Sequence, residues 1–410
     1  MKAHILKIAV LLVCSLQAQD ITKVLFIGNS LTYYNSMPET FESIANSLGD
    51  STEVTVYAPG GTGFVHHAVD QQVFNHFKQG DWDYVVLQPG SNESPGYSFT
   101  IQETLERANI LNDSIHTYNP CAKVLYYEIS YGVWGNSASD LVTYNNTMDL
   151  IKTNLTILAD STHAFFAPVG EVFRSSWNSD LTNMLWGSAG DIHPNAKGSY
   201  IAACVFYSSI FQNASVNSTI NNGLMASEAL SYRELSDSIV LNNFPDWRIN
   251  TFDMFVDYTS TIVNDSVHFD NLSLNIDSVV WDFGDGTFSN ELEPSHAYLN
   301  NGTYNVKLTT YNGGCTDSLI QNIEIQGLDL TELNQQPAYF LYPNPVKHTL
   351  QINSDDIGSV LNAEIYDING QLLKRFQGQN TDVSNLPNGL YFVKIIEDVS
   401  IVSSLKFIKL

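Results

Sequence analysis

Short apolar runs recur between residues 24 and 167, and each is hydrophobic on both faces. They are Val24–Ile27, Val54–Tyr57, Tyr84–Leu87, Val124–Tyr127 and Ala164–Ala167. The first three end in glycine- or proline-containing turns, at Gly28, Pro59-Gly60-Gly61 and Pro89-Gly90. A strand with no polar face needs cover on both sides, which a parallel sheet between helical layers supplies. The intervening segments are long enough for crossover helices. Helical spacing is legible over 41–48, 101–118, 141–158 and 196–211. The series therefore predicts βαβ units and a doubly wound α/β domain over 20–248. Ligands of such sheets sit at the carboxyl ends of the strands, where the Gly- and Ser-containing loops fall.

Around Arg248 this pattern stops. Residues 252–326 carry short alternating stretches such as Tyr304, Val306 and Leu308, with a tight-turn signal at Asp285-Gly286. Residues 327–339 are polar and read as a linker. From 340 to 410 alternation returns, with a hairpin signal at Asn369-Gly370. Two small β-sandwich domains are expected behind the α/β domain.

Lys2 and Lys7 precede the apolar run Ile8–Val13, and small or polar residues follow at Ser15, Ala18 and Gln19. Residues 1–19 thus read as a signal peptide, with a run too short to span a bilayer. A lipoprotein signal with Cys14 as the modified residue is the second reading. No later stretch reaches transmembrane length. Cys121, Cys204 and Cys315 remain after cleavage, which permits at most one bridge. They are expected as buried small hydrophobes. A net charge of −25 leaves no basic face for nucleic acid.

Four loops carry complementary chemistry. Gly28-Asn29-Ser30 follows the first strand and puts a hydroxyl at the ligand end of the sheet. Gly60-Gly61 can offer an unhindered N–H, and Gly90-Ser91-Asn92-Glu93 an amide donor. Asp191-Ile192-His193-Pro194-Asn195 supplies an imidazole base with a nearby carboxylate. No G-x-S-x-G elbow occurs, which disfavours an α/β-hydrolase.

These blocks resemble those of the SGNH/GDSL hydrolases, whose fold is flavodoxin-like. The resemblance implies Ser30 as nucleophile, His193 as general base, and Ser30, Gly61 and Asn92 as oxyanion-hole donors. It departs at Asn29, at Glu93, and at the acid. The acid is expected at position 190, which is Gly190, so either Asp191 reaches His193 or a Ser–His dyad operates. Residues 252–326, with Trp281-Asp282-Phe283-Gly284-Asp285-Gly286 and His296-Ala297-Tyr298, resemble a PKD domain. Residues 340–410, with Tyr342-Pro343-Asn344-Pro345, Asn388-Gly389-Leu390-Tyr391-Phe392-Val393 and Lys406-Phe407-Ile408-Lys409, resemble the sorting domain of type IX secretion cargo of Bacteroidetes.

Weaker candidates remain. His66 and His67 read as surface histidines at a helix start, one of them able to line the pocket. Glu128 reads as a structural acid. Tyr33, Tyr34, Tyr131, Trp134, Trp177 and Trp186 are expected in loops near the strand ends, where they either stack on sugar rings or roof the sheet. His163, His268 and His296 lack metal-ligand spacing. The combined expectation is a secreted or surface-attached monomeric serine esterase without a cofactor, handled by the type IX secretion machinery. An acetylated glycan is the expected substrate. The alternatives are a lipid or aryl esterase, or a non-catalytic carbohydrate-binding protein on a degenerate hydrolase fold.

Overall fold

The computed structural model describes residues 21–263, 266–326, 339–354, 362–397 and 400–410. The signal-peptide residues, and the linker apart from Tyr339, lie outside them. The chain divides into two compact units at Ile249/Asn250.

The first unit is a doubly wound α/β domain. Its parallel strands are β1 (Thr22–Ile27), β2 (Thr52–Tyr57), β3 (Tyr84–Leu87), β4 (Lys123–Tyr127) and β5 (Phe165–Ala167), in the order β2-β1-β3-β4-β5. Val24 to Ile27 and Val85 to Leu87 are buried, as their unbroken apolar character requires. The run in β2 differs. Val54 to Tyr57 are only half-buried, because β2 is an edge strand. The helices are α1 (Ser30–Tyr33), α2 (Met37–Leu48), α3 (Phe64–His67), α4 (Gln71–Gln79), α5 (Ile101–Tyr118), α6 (Ala138–Thr162), α7 (Val169–Ser179), α8 (Ala196–Phe211) and α9 (Ala226–Leu241). Helix α8 is buried at every position from Gly198 to Ile210, the environment demanded by a helix that is apolar all round.

The strand order reverses direction between β1 and β3. The chain leaves β1 towards one edge and β3 towards the other, which opens a crevice outside their carboxyl ends. The Ser30 and Asn92 loops leave those two strands.

The second unit contains two sandwiches. In one, β6 (Tyr258–Val263), β7 (Ser266–Asn271) and β10 (Ser295–Ala297) face β8 (Ser278–Asp282), β9 (Phe288–Ser289), β11 (Gly302–Asn312) and β12 (Cys315–Ile325). Trp281 is fully buried there against Tyr258 and Phe269, with ring centroids at 4.9 and 5.2 Å. In the other, β13 (Tyr339–Tyr342), β14 (Thr349–Ser354) and β17 (Asn380–Asp382) face β15 (Asn362–Tyr366), β16 (Leu372–Gln377), β18 (Gly389–Glu397) and β19 (Ser400–Lys409). Tyr339, assigned to the linker, opens β13. Asn369-Gly370 sits in the β15–β16 hairpin, with Gly370 at φ 75°. Of the cysteines, Cys204 is buried, whereas Cys121 is exposed and Cys315 half-buried. The expectation of three buried hydrophobes therefore holds only for Cys204. Among the described residues no helix is long and apolar enough to cross a membrane.

Candidate active site

Ser30 is the first residue of α1, so its N–H has no acceptor within the helix. The corner before it is held from several sides. The Asn29 carboxamide accepts from the Leu31 N–H at 2.9 Å and donates to the Thr62 carbonyl at 2.7 Å. An ionised aspartate at this position could not make the second bond. The Gln88 side-chain oxygen receives the Asn29 N–H at 3.1 Å and the Thr32 hydroxyl at 2.8 Å.

The loops after β2 and β3 are clamped together by Glu93. Its Oε2 accepts the N–H groups of Gly90 and Phe64, at 3.1 and 2.8 Å, and Arg107 reaches Oε1 at 3.2 Å. A side chain at Gly63 would come within 2.6 Å of the Gly90 nitrogen. Gly61 has φ +73°, a left-handed conformation that disfavours any side chain.

The loop before α8 carries the histidine. Asn195 caps the helix by accepting from Lys197 and Gly198, and donates back to the carbonyls of Met184 and Trp186. Gly190, at φ +80°, donates to the Val133 carbonyl at 2.7 Å. The resulting turn brings Asp191 Oδ1 to 2.7 Å from His193 Nδ1. The wrong spacing is thus compensated by loop curvature. Ser30 Oγ lies 2.9 Å from His193 Nε2. The Tyr34 ring stacks on the imidazole at 4.4 Å.

The His193 backbone N–H, then its imidazole, hold the Asp191 carboxyl below the usual carboxylate range. As a carboxylate it can only accept, so His193 Nδ1 carries the proton. Nε2 is then left to accept the Ser30 hydroxyl. Ser30, Gly61, Asn92 and His193 line one cavity of about 450 Å³, with Val65, Phe99 and Ile192 as apolar wall.

The other candidates separate. His66 lines this cavity. His67 is not a surface residue: it is buried at the end of α3, with Nε2 3.1 Å from the Gly28 carbonyl and 2.9 Å from the Thr62 hydroxyl. Trp177 and Trp186 are buried and do not face solvent, and Trp186 lies in the loop that leads to His193. They pack edge to face in the core at 5.7 Å, and Trp177 lies on α7. Trp134, Tyr33 and Tyr34 are exposed, at 68%, 45% and 38%. Glu128 is buried, and its Oε2 accepts the Glu171 N–H at 3.1 Å. Burial, and then the neighbouring Glu171 charge, push its carboxyl well above the usual range. The clamp role of Glu93 is invisible in the sequence, because two of its partners, Phe64 and Arg107, lie 29 and 14 residues away.

Comparison with known proteins matches residues 249–326 to the family described as PKD domain, and residues 340–409 to the secretion system C-terminal sorting domain. No curated protein matches the sequence. Solved structures match over the α/β unit at low identity. A DUF4886 family protein from Bacteroides uniformis is 16% identical over 55% of this chain and 96% of its own, with a TM-score of 0.46. A candidate SGNH hydrolase from Slackia heliotrinireducens is 22% identical over 47% of this chain and 100% of its own, with a TM-score of 0.38. An acetyl xylan esterase from Geobacillus stearothermophilus is 15% identical over 45% of this chain and 92% of its own, with a TM-score of 0.32. The chain is thus similar to a PKD domain over residues 249–326 and to a secretion sorting domain over residues 340–409, the latter a mark of secretion or cell-surface attachment.

Proposed function

We propose that the chain is a secreted serine esterase that releases small acyl groups, with acetylated polysaccharide as the substrate class. The observation that carries this reading is the continuous hydrogen-bonded series Ser30 Oγ, His193 Nε2, His193 Nδ1, Asp191 Oδ1 at the mouth of the β1–β3 crevice. In this reading Ser30 Oγ attacks the ester carbonyl while its proton passes to His193 Nε2. The developing oxyanion meets the Ser30 and Gly61 N–H groups and the Asn92 amide. As the tetrahedral intermediate collapses, the C–O bond to the alcohol breaks and His193 returns the proton to that oxygen. Water, deprotonated by His193, then releases the acyl group from Ser30.

The apolar wall of Val65, Phe99 and Ile192 suits a short acyl chain. The polar residues His66, Ser91 and Ser98 on the same cavity suit a hydroxylated acceptor. The sorting-domain match over residues 340–409 supports a role outside the cell, where polymeric substrates are found. The reading is tested with p-nitrophenyl acetate and acetylated xylan. Wild type is expected to release acetate from both, and Ser30→Ala from neither. Mass spectrometry of protein treated with a fluorophosphonate is expected to find the adduct on Ser30. Turnover by Ser30→Ala at the wild-type rate would end the assignment.

A further inference from the structure

We propose that Tyr131 is a positioning residue, which sets the orientation of the Asn92 carboxamide so that Nδ2 rather than Oδ1 faces Ser30. The inference rests on the esterase reading and deepens it. An asparagine side chain is nearly symmetric in shape but opposite in polarity at its two ends. Only its partners decide which end points where. Asn92 lines the cavity that contains Ser30. Its backbone is fixed, because its carbonyl accepts the N–H groups of Tyr97 and Ser98 at 2.9 and 3.0 Å. What remains free is rotation of the amide. An Nδ2 facing the cavity stabilises an oxyanion, and an Oδ1 in the same place repels it.

Tyr131 biases that rotation. Its hydroxyl donates to Asn92 Oδ1 at 2.9 Å, the one hydrogen bond to the Asn92 side chain among the described residues. A phenol oxygen is a good donor and a poor acceptor, because its lone pair is shared with the ring. The flipped amide, donating Nδ2–H to the phenol, is therefore the weaker pairing. Partial burial raises the Tyr131 hydroxyl above its usual pKa, so it stays protonated and keeps donating. The ring itself is held. Tyr97 meets it edge to face at 5.9 Å, and the Tyr97 hydroxyl is tied to the Thr147 hydroxyl at 2.8 Å. A half-buried tyrosine near an active site would ordinarily be assigned to substrate contact, and this geometry assigns it to the catalytic amide.

The test is a double-mutant cycle on p-nitrophenyl acetate with Tyr131→Phe, Asn92→Ala and the pair. Phenylalanine keeps the ring contact with Tyr97, and an unchanged melting temperature checks the fold. Tyr131→Phe is expected to lower kcat by about 3- to 10-fold, the weight of one neutral hydrogen bond, with KM within about twofold. Asn92→Ala is expected to lower kcat by about 10²–10³. The pair should be no slower than Asn92→Ala alone, because without the amide there is nothing to orient. Three outcomes would overturn the inference: wild-type kcat in Tyr131→Phe, multiplicative losses in the pair, or an effect confined to KM. Wild-type turnover by Ser30→Ala, run alongside, would instead remove the esterase reading and this inference with it.

Discussion

Asp191 and His193 are joined twice through one atom: Asp191 Oδ1 accepts the imidazole Nδ1–H at 2.7 Å and the His193 backbone N–H at 2.9 Å. An acid two residues before its histidine can reach the ring only if the chain turns back on itself. The backbone bond holds that turn.

This shared oxygen predicts the effect of Asp191→Asn. In serine proteases the equivalent change costs about 10⁴ in kcat, because the new amide donates and forces the wrong tautomer. Here the His193 backbone N–H keeps an oxygen, not an NH₂, facing the histidine. The tautomer survives and only the negative charge is lost. Asp191→Asn is expected to cost about 10² in kcat, and Asp191→Ala to approach the loss caused by His193→Ala. Equal losses in Asp191→Asn and Asp191→Ala would show that the amide flips.

Gly63→Ala is predicted to be damaging through contact, not through backbone strain. A Cβ there would lie 2.6 Å from the Gly90 nitrogen and 2.7 Å from Glu93 Oε2, while φ at Gly63 is −160°, which any residue adopts. The loops of Gly61 and Asn92 must separate to admit it. Overpacking of this kind costs typically 1–3 kcal/mol. The expected result is a lower urea midpoint together with at least a tenfold fall in kcat. A stability loss with unchanged kcat would mean that the two loops need no mutual register.

What the sequence discloses, and what it withholds, follows from range. The buried runs of β1 and β3 and the full extents of α5 and α8 are local patterns, and the residues name them directly. Helices α4 and α7 are amphipathic but short, at 9 and 11 residues, and α9 has polar residues on every face. Trp177 lies on α7, not in a loop, and only the fold shows it meeting the loop residue Trp186 edge to face in the core. Within the site, Ser30 and His193 stand out by residue type and position. The reach of Asp191 depends on the Gly190 turn, and the Glu93 clamp and the Tyr131–Asn92 bond join separate loops. Such tertiary contacts leave no mark on a single sequence.

His67 supplies a pH dependence. Burial pushes its pKa from the ordinary 6.5 down to about 4, and its Nδ1 lies buried without a partner. Between pH 6.5 and 4 the unfolded chain binds a proton that the folded chain does not. Stability therefore rises with pH across that window, is lost as pH falls through it, and is flat with respect to this group below it. The full difference is about 3 kcal/mol. Glutamine at 67 retains an N–H for the Gly28 carbonyl and does not titrate. Urea unfolding at pH 7 and pH 4.5 should show a smaller loss in His67→Gln than in wild type. Equal losses would place the pH dependence elsewhere.

The final prediction concerns export. Ser30, Gly61, Asn92, Asp191 and His193 all lie in the first compact unit, which ends at Ile249. The sorting-domain match begins at residue 340, and its sandwich has its own core of Val346, Leu350, Ile352, Ile365, Val393 and Phe407. A region with a separate core can fold without the other unit. A chain ending at Gly327 is therefore expected to hydrolyse p-nitrophenyl acetate with the kcat of the full chain. In a host with a type IX secretion system it should accumulate in the periplasm, while the full chain reaches the medium or the cell surface. Fractionation and immunoblotting distinguish these outcomes. Appearance of the shortened chain outside the cell at the full-length level would deny residues 340–409 a sorting role. Loss of activity with normal retention would show that the α/β unit leans on the C-terminal sandwich.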